Sequence, residues 1–177
     1  MIINKQFKLL TLAFSFLLSF SILTDIPASA AKKTNPYGAT NVDPAPANSP
    51  ILLLSKGSKS VIFSLQQLQA LKSSVITINE PFVKKRQSFR VIALSELFKL
   101  VGIVGTDKVQ TLALNDYLYT NIAEEFLSAG GYLAIARDGL DIPYDQGGPI
   151  RIIFPSKSKW QKFLDPWNWS LKEISVK

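Results

Sequence analysis

The chain has 177 residues, 20 of them basic and 13 acidic, a formal net charge of +7, and neither cysteine nor histidine. Without a thiol there is no disulfide and no soft metal ligand; without an imidazole the commonest metal ligand and the commonest general base near neutral pH are both missing. An ordinary thiol enzyme, a histidine-ligated metalloenzyme and a serine–histidine triad are thereby excluded.

The N-terminus has the layout of a secretory signal peptide over residues 1–30. Lys5 and Lys8 give a positive start, Leu9 to Leu23 form an uncharged apolar run, and Ala28-Ser29-Ala30 is an A-x-A cleavage site. The processed chain is predicted to begin at Ala31. No cysteine follows the apolar run, so a lipoprotein anchor is excluded. Residues 31–50 contain Pro36, Pro44, Pro46 and Pro50 and read as a flexible, extended leader. Residues 51–177 are long enough for one domain with its own core. A basic domain suits nucleic acid, an anionic membrane face or an acidic ligand. Export argues against nucleic acid, and the lysines are scattered along the chain, so a solvated basic surface is the plain reading.

Within the domain, Ile51 to Leu54 and Val61 to Phe63 read as strands around a Lys56-Gly57 turn. Ser64-Leu65-Gln66-Gln67 is a capping box that opens a short helix with Leu65, Leu68 and Leu71 on one side. Val75 to Ile78 reads as a buried strand. Leu94, Leu97, Phe98 and Val101 have the i, i+3, i+4, i+7 spacing of a helix, with Ser95 as its start cap and Gly102 as its stop. Val109 to Leu114 alternates as a strand does. Asn121-Ile122-Ala123-Glu124 resembles a second capping box, and Gly130-Gly131 ends the helix it opens. Tyr132 to Ala136, Ile150 to Phe154 and Trp169 to Val176 read as strands, the last with a bulge near Lys172-Glu173. Strands and short helices mix without a βαβ rhythm, which predicts an α+β domain built on a mixed β-sheet.

No dinucleotide, phosphate-loop, zincin or nucleophile-elbow motif is present. Ser156-Lys157-Ser158-Lys159 matches S-x-x-K, but its companion elements are missing and it reads as a solvated lysine-rich loop. Asn168-Trp169-Ser170 matches a glycosylation acceptor at a predicted strand start and is discounted. Asp116, Asp138, Asp141 and Asp145 read as turn carboxylates. Three clusters rise above this background. Leu114-Asn115-Asp116-Tyr117 puts a polar pair and an aromatic at a strand end. Gly147-Gly148-Pro149-Ile150-Arg151 allows close backbone approach and places an arginine in an apolar strand. Trp160, Trp167 and Trp169 hold all three tryptophans within ten positions, as a core cluster or a stacking platform.

In this order the clusters resemble the oxidoreductase molybdopterin-binding domain, the sulfite oxidase-like fold. Phe63 to Leu68 followed by Val75 to Ile78 is similar to that family's opening. Phe89-Arg90-Val91-Ile92-Ala93-Leu94 with Leu97-Phe98 is similar to its F-x-G-V-x-L-x-x-L-L stretch, with Arg90 where the glycine stands. Ala113 to Tyr117, Leu133 to Gly139, Gly148 to Arg151 and Trp169 to Ile174 follow in the expected order. The resemblance covers about residues 63–176.

Catalytic members of that family hold molybdenum through a cysteine thiolate after the strand matching Val75 to Ile78. This chain has Asn79 there and no cysteine. The resemblance therefore implies the fold and a pterin pocket without the metal-centred reaction. It points to a small cysteine-free branch of periplasmic pterin-binding proteins that report to a membrane partner such as a cyclic-di-GMP enzyme or a kinase. Implied in turn are a pterin or molybdopterin-like ligand, no metal held by the protein, and a periplasmic location. A pterin is a flat ring whose amino-oxo edge presents two adjacent N–H donors, which a carboxylate accepts together; Asp116, with Asn115 beside it, is the edge candidate. Phe82, Tyr117, Trp167 and Arg151 are candidates for the ring face, with Trp169 assigned to the core. Arg137, Arg151 and Lys157, Lys159 and Lys162 are candidates for a phosphate, and Gly148 for close backbone approach. Two alternatives stand beside this: a molybdopterin-dependent oxidoreductase subunit without the thiolate, and an interaction module whose pocket is filled by side chains.

Overall fold

The structure is a computed structural model that describes residues 46–177. The expected signal peptide (1–30) and most of the expected leader (31–45) lie outside the described residues. Nine strands and three short helices follow one another as β1 (Pro50–Lys56), β2 (Lys59–Ser64), α1 (Leu65–Ala70), β3 (Ser74–Glu80), β4 (Lys85–Ala93), α2 (Leu94–Val101), β5 (Lys108–Ala113), β6 (Leu118–Ile122), α3 (Ala123–Ser128), β7 (Tyr132–Arg137), β8 (Arg151–Ile153) and β9 (Leu171–Val176). The strands form two sheets. One has the order β2-β1-β9-β5-β6 and the other β3-β4-β7-β8. Every neighbouring pair is antiparallel except β1 with β9. The domain is thus α+β with two mixed-length sheets, where one mixed sheet was expected.

Local chemistry explains most of these elements. The Ser64 hydroxyl accepts from the Gln67 amide at 3.2 Å while the Gln67 side chain accepts from the Ser64 amide at 2.8 Å, which closes the capping box of α1. Residues expected to be loose leader contribute here: the Gln66 amide donates to Ala47 O at 3.1 Å, and β1 starts at Pro50. Gly102, at φ 78°, ends α2 in the left-handed conformation that costs glycine least. In the β5–β9 ladder, Leu112 faces Glu173 and Ala113 faces Leu171, leaving Lys172 as the extra residue of the expected bulge.

Three expectations need correction. Ser95 does not cap α2. The helix begins at Leu94, whose amide donates to the Gly131 carbonyl at 3.0 Å, so a distant backbone group satisfies the orphan donor. Asn121 does not cap α3 for the same reason: Ala123 N donates to Asp107 O at 2.8 Å and Glu124 N to Gly105 O at 2.9 Å. Strand β3 is only partly buried, with Val75 70% exposed, because it lies at the edge of its sheet.

One cluster of buried apolar side chains draws on both sheets and all three helices. It includes Leu52, Leu54, Val109 and Ile174 from the first sheet and Ile78, Phe89, Leu133 and Ile152 from the second. Leu65, Leu68, Leu94, Leu97, Phe98 and Phe126 join it from the helices. Removing this much apolar surface from water is the main stabilising term in a domain with no disulfide.

Candidate functional site

The sheets are joined where the chain passes from β8 to β9. Ile152 N donates to Asn168 O at 2.9 Å and Leu171 N to Ile150 O at 3.0 Å, so residues 168–171 run beside β8 before entering the first sheet. At this crossing Ser170, held at φ 47°, donates its amide to Gly147 O at 2.9 Å and accepts from Leu114 N at 2.8 Å. Three segments far apart in sequence are thereby locked together: the end of β5, the Gly147-Gly148 loop and the start of β9.

A cleft of about 390 Å³ opens at this junction, lined by Leu114, Asn115, Tyr144, Asp145, Gly147, Trp169 and Ser170. Its size falls within the range of small-molecule sites, about 300–1,000 Å³. An apolar groove of about 260 Å³ adjoins it, sharing Leu114 and Tyr144 and continuing over Ile51, Leu53 and Ile62. Gly147 has φ 84°, and a Cβ there would stand 3.0 Å from the Trp169 ring. A Cβ on Gly148 would stand 1.8 Å from Ile142 O. Both glycines are required by the close approach of this loop to its surroundings. The Gly148-Pro149 peptide bond is cis.

Behind Trp169 lies a buried ion pair. Arg151 and Glu80 are fully buried, with Nη2 and Oε1 2.7 Å apart. The other Glu80 oxygen accepts from the amides of Phe82 and Val83, each at 2.8 Å, and so shapes the β3–β4 turn. The Arg151 guanidinium carbon is 4.3 Å from the Trp169 ring centroid and 5.8 Å from that of Phe82. Phe82 meets Trp169 edge-on at 4.6 Å and Trp167 at 6.3 Å. The β8 arginine thus supports the cleft's aromatic wall from within the core.

The structure gathers some of the expected site residues and separates others. Asn115 lines the cleft, Gly148 belongs to the loop that borders it, and Phe82 and Arg151 back its wall. Arg137 donates to the Gln146 side chain, next to that loop. Asn79 stands one residue before Glu80, its amide donating to Ser156 Oγ at 2.9 Å and its carbonyl accepting from Gln161 at 2.7 Å. Asp116 takes φ 63° and turns outward; its side chain is 81% exposed and pairs with Lys172 at 2.8 Å. Tyr117 donates its amide to Asn115 Oδ1 at 3.2 Å, closing an Asx turn, and its hydroxyl to Asp165 O at 3.0 Å. Burial first, and the Asp165 charge second, push its phenol upward in pKa.

The tryptophans exchange their expected places. Trp167 is 3% exposed and donates its indole N–H to Trp160 O at 2.8 Å, and Trp160 packs edge-on against Phe126 and Phe154. Both belong to the core, whereas Trp169 lines the cleft. Asp145 is the cleft carboxylate that sequence reasoning left among ordinary turns; its position just before Gly147 was the signal. Ser156 and Lys159 of the S-x-x-K match are engaged elsewhere, Lys159 with Glu125 at 2.7 Å. Asn168 is fully buried and bonded to Thr111 at 3.1 Å, which removes it as a glycosylation acceptor in the folded chain.

The donor set decides what such a site can hold. Asn79 and its neighbours offer no thiolate to a soft metal, and among the described residues no group of three or more acidic side chains gathers around one point. The residues do not fit a protein-ligated molybdenum. The cleft lining combines two hydrogen-bonding side chains, Asp145 and Asn115, with the aromatic Trp169.

No protein-family model and no curated protein matches the chain. Among solved structures it is similar to the sulfane dehydrogenase SoxCD from Paracoccus pantotrophus, with a TM-score of 0.57 and 13% identity over 78% of this chain. The chain spans 40% of that protein's length. At this identity the likeness is one of fold alone.

Proposed function

We propose that this is a non-catalytic exported pterin-binding protein that serves as a ligand sensor or adaptor for a membrane signalling partner. The observation that carries the reading is the cleft at Asn115, Asp145, Gly147 and Trp169 within a fold similar to SoxCD, in a chain with no cysteine. The sequence resemblance to sulfite oxidase-like molybdopterin-binding domains supports it, and the missing thiolate argues against the metal-centred reaction. In this proposal Asp145 takes the edge-reading role first assigned to Asp116, because it faces the cleft while Asp116 faces solvent. Trp169 offers the ring a wall, and the adjoining apolar groove receives what the ring carries.

The test is mass spectrometry of small molecules released from protein isolated gently after export, followed by titration with reduced pterin read through tryptophan fluorescence. A pterin recovered in near-stoichiometric amount is expected. Asp145→Asn is expected to weaken binding by about 1–3 kcal/mol, the cost of mispairing a polar group at a desolvated edge. No pterin in repeated preparations and no uptake of added pterin would overturn the proposal. The likeness to a dehydrogenase favours one second reading, an oxidoreductase subunit that carries molybdopterin without a protein thiolate. Elemental analysis separates the two, since only that reading expects stoichiometric molybdenum.

A further inference from the structure

Five of the cations scattered in the sequence come from two segments that meet in space, the β3–β4 hairpin and the loop 156–165. Strand β3 is a sheet edge, and its end is crossed by the loop 156–165: Asn79 N donates to Ser156 Oγ and Gln161 Nε2 to Asn79 O. Across the β3–β4 ladder, Arg86 is the partner of Asn79 and Lys85 the partner of Glu80, with Lys84 in the turn between the strands. The exposed cations Lys84, Lys85 and Arg86 are therefore brought beside the exposed Lys157 and Lys162 of the loop. The acidic groups nearby are mostly engaged, Asp138 accepting from the Ser88 amide at 3.0 Å. Glu80 is buried against Arg151, and Glu125 is held by Lys159. Asp165 is the exposed carboxylate of this loop.

Beside these cations the loop exposes large apolar side chains. Phe163 is 44% and Leu164 39% exposed, directly after Lys162. They are raised on a firm base: Trp160 is buried beneath them, its ring 6.4 Å from that of Phe163, and Ser158 Oγ donates to Ala129 O at 2.7 Å. Basic side chains around a protruding aromatic and aliphatic pair match a bilayer interface, where the cations meet lipid phosphates and the apolar tips enter the headgroup–acyl boundary. Free phosphate or nucleic acid would use the charges and leave the Phe163-Leu164 tip in water.

We propose that the loop 156–165 and the β3–β4 turn form a docking surface for an anionic lipid bilayer, with Phe163 and Leu164 inserted and Lys84, Lys85, Arg86, Lys157 and Lys162 against the headgroups. Docking is electrostatic and apolar together, so it requires anionic lipid and weakens with salt. None of these seven residues lines the cleft, and the assignment stands whether or not a pterin is the ligand.

The test is co-sedimentation of the exported protein with phosphatidylglycerol-rich vesicles and with pure phosphatidylcholine vesicles at low salt. Variants of equal length are compared, which cancels any contribution from residues 1–45. Binding to the anionic vesicles is expected to be at least about tenfold tighter than to the zwitterionic ones, and to fall steeply as salt is added. The pair Lys157→Glu and Lys162→Glu is expected to lower it at least about tenfold. Phe163→Ser with Leu164→Ser is expected to weaken it while leaving the salt dependence in place. All four side chains are exposed, and unchanged circular dichroism and melting temperature verify the fold. Equal sedimentation with both lipids, or binding that neither variant pair reduces, overturns the proposal. Binding to polyglutamate but not to anionic vesicles also overturns it and gives the patch to an acidic protein.

Discussion

Arg151 shows how much one side chain can organise. It is a charged residue in an apolar strand, fully buried, and its partner Glu80 is 71 positions away in sequence. Breaking such a pair leaves an uncompensated charge in the core, so Arg151→Met is expected to cost about 3–5 kcal/mol of stability, read by urea denaturation. The double variant Arg151→Met with Glu80→Gln is expected to lose less than the sum of its parts, because the stranded carboxylate is gone. Gly147→Ala is a second residue-scale prediction. The added methyl meets the Trp169 ring at a backbone angle that side chains disfavour, and a loss of about 1–2 kcal/mol is expected, with a shift in tryptophan emission. An unshifted spectrum would show that Trp169 keeps its place. The arginine and the paired glycines were legible in the sequence as anomalies in an apolar strand and its turn. The partner Glu80, on the opposite edge strand of the same sheet, and the cleft carboxylate Asp145 were not, because contacts between segments far apart in the chain leave no periodic trace.

At the scale of elements, the reading succeeded where stabilisation is local. The box Ser64-Gln67, the left-handed Gly102 and the Lys172 bulge are each decided by a few consecutive residues. Ser64→Ala is accordingly expected to lower stability by about 1 kcal/mol, measured as a shift in denaturation midpoint with unchanged slope. The reading failed where a distant carbonyl does the capping. Strands β4 and β6 were not predicted as strands either. Lys85-Arg86 opens β4 with charges, and β6 is an edge strand with exposed Leu118 and Ile122, so neither shows the alternation of a half-buried strand.

At the scale of the molecule, one ion pair ties the β1–β2 turn region to the loop before β5. Lys56 Nζ donates to Asp107 Oδ2 at 2.5 Å and to Gly102 O at 2.9 Å, and Asp107 also accepts from Val104 N at 2.7 Å. The Lys56 hydrogen bond, and then the Val104 amide, hold the Asp107 carboxyl below the usual carboxylate range. The folded chain therefore binds this proton less readily than the unfolded chain. Its contribution is present above the ordinary aspartate range and is lost as pH falls through the lowered folded value. Asp107→Asn is expected to flatten the acid limb of stability against pH, seen in urea midpoints measured through that window; an unchanged limb would remove Asp107 from the account.

The sequence by itself determined which chemistry is closed to this protein, since a chain without cysteine or histidine can supply neither thiolate nor imidazole. It also determined the α+β class and most element positions, because alternation, caps and turn residues act over a few neighbours. Only the tertiary structure decided which aromatic faces the cleft. Trp167 and Trp169 are two residues apart, yet one packs in the core and the other lines the cleft, because the turn at Ser170 is pinned between Gly147 and Leu114. It decided likewise that Asp145 and not Asp116 faces the cleft, and that the loop with Lys157 and Lys162 meets the hairpin with Lys84, Lys85 and Arg86. Each of these depends on contacts between segments far apart in the chain, where no local pattern in the sequence can hold the information.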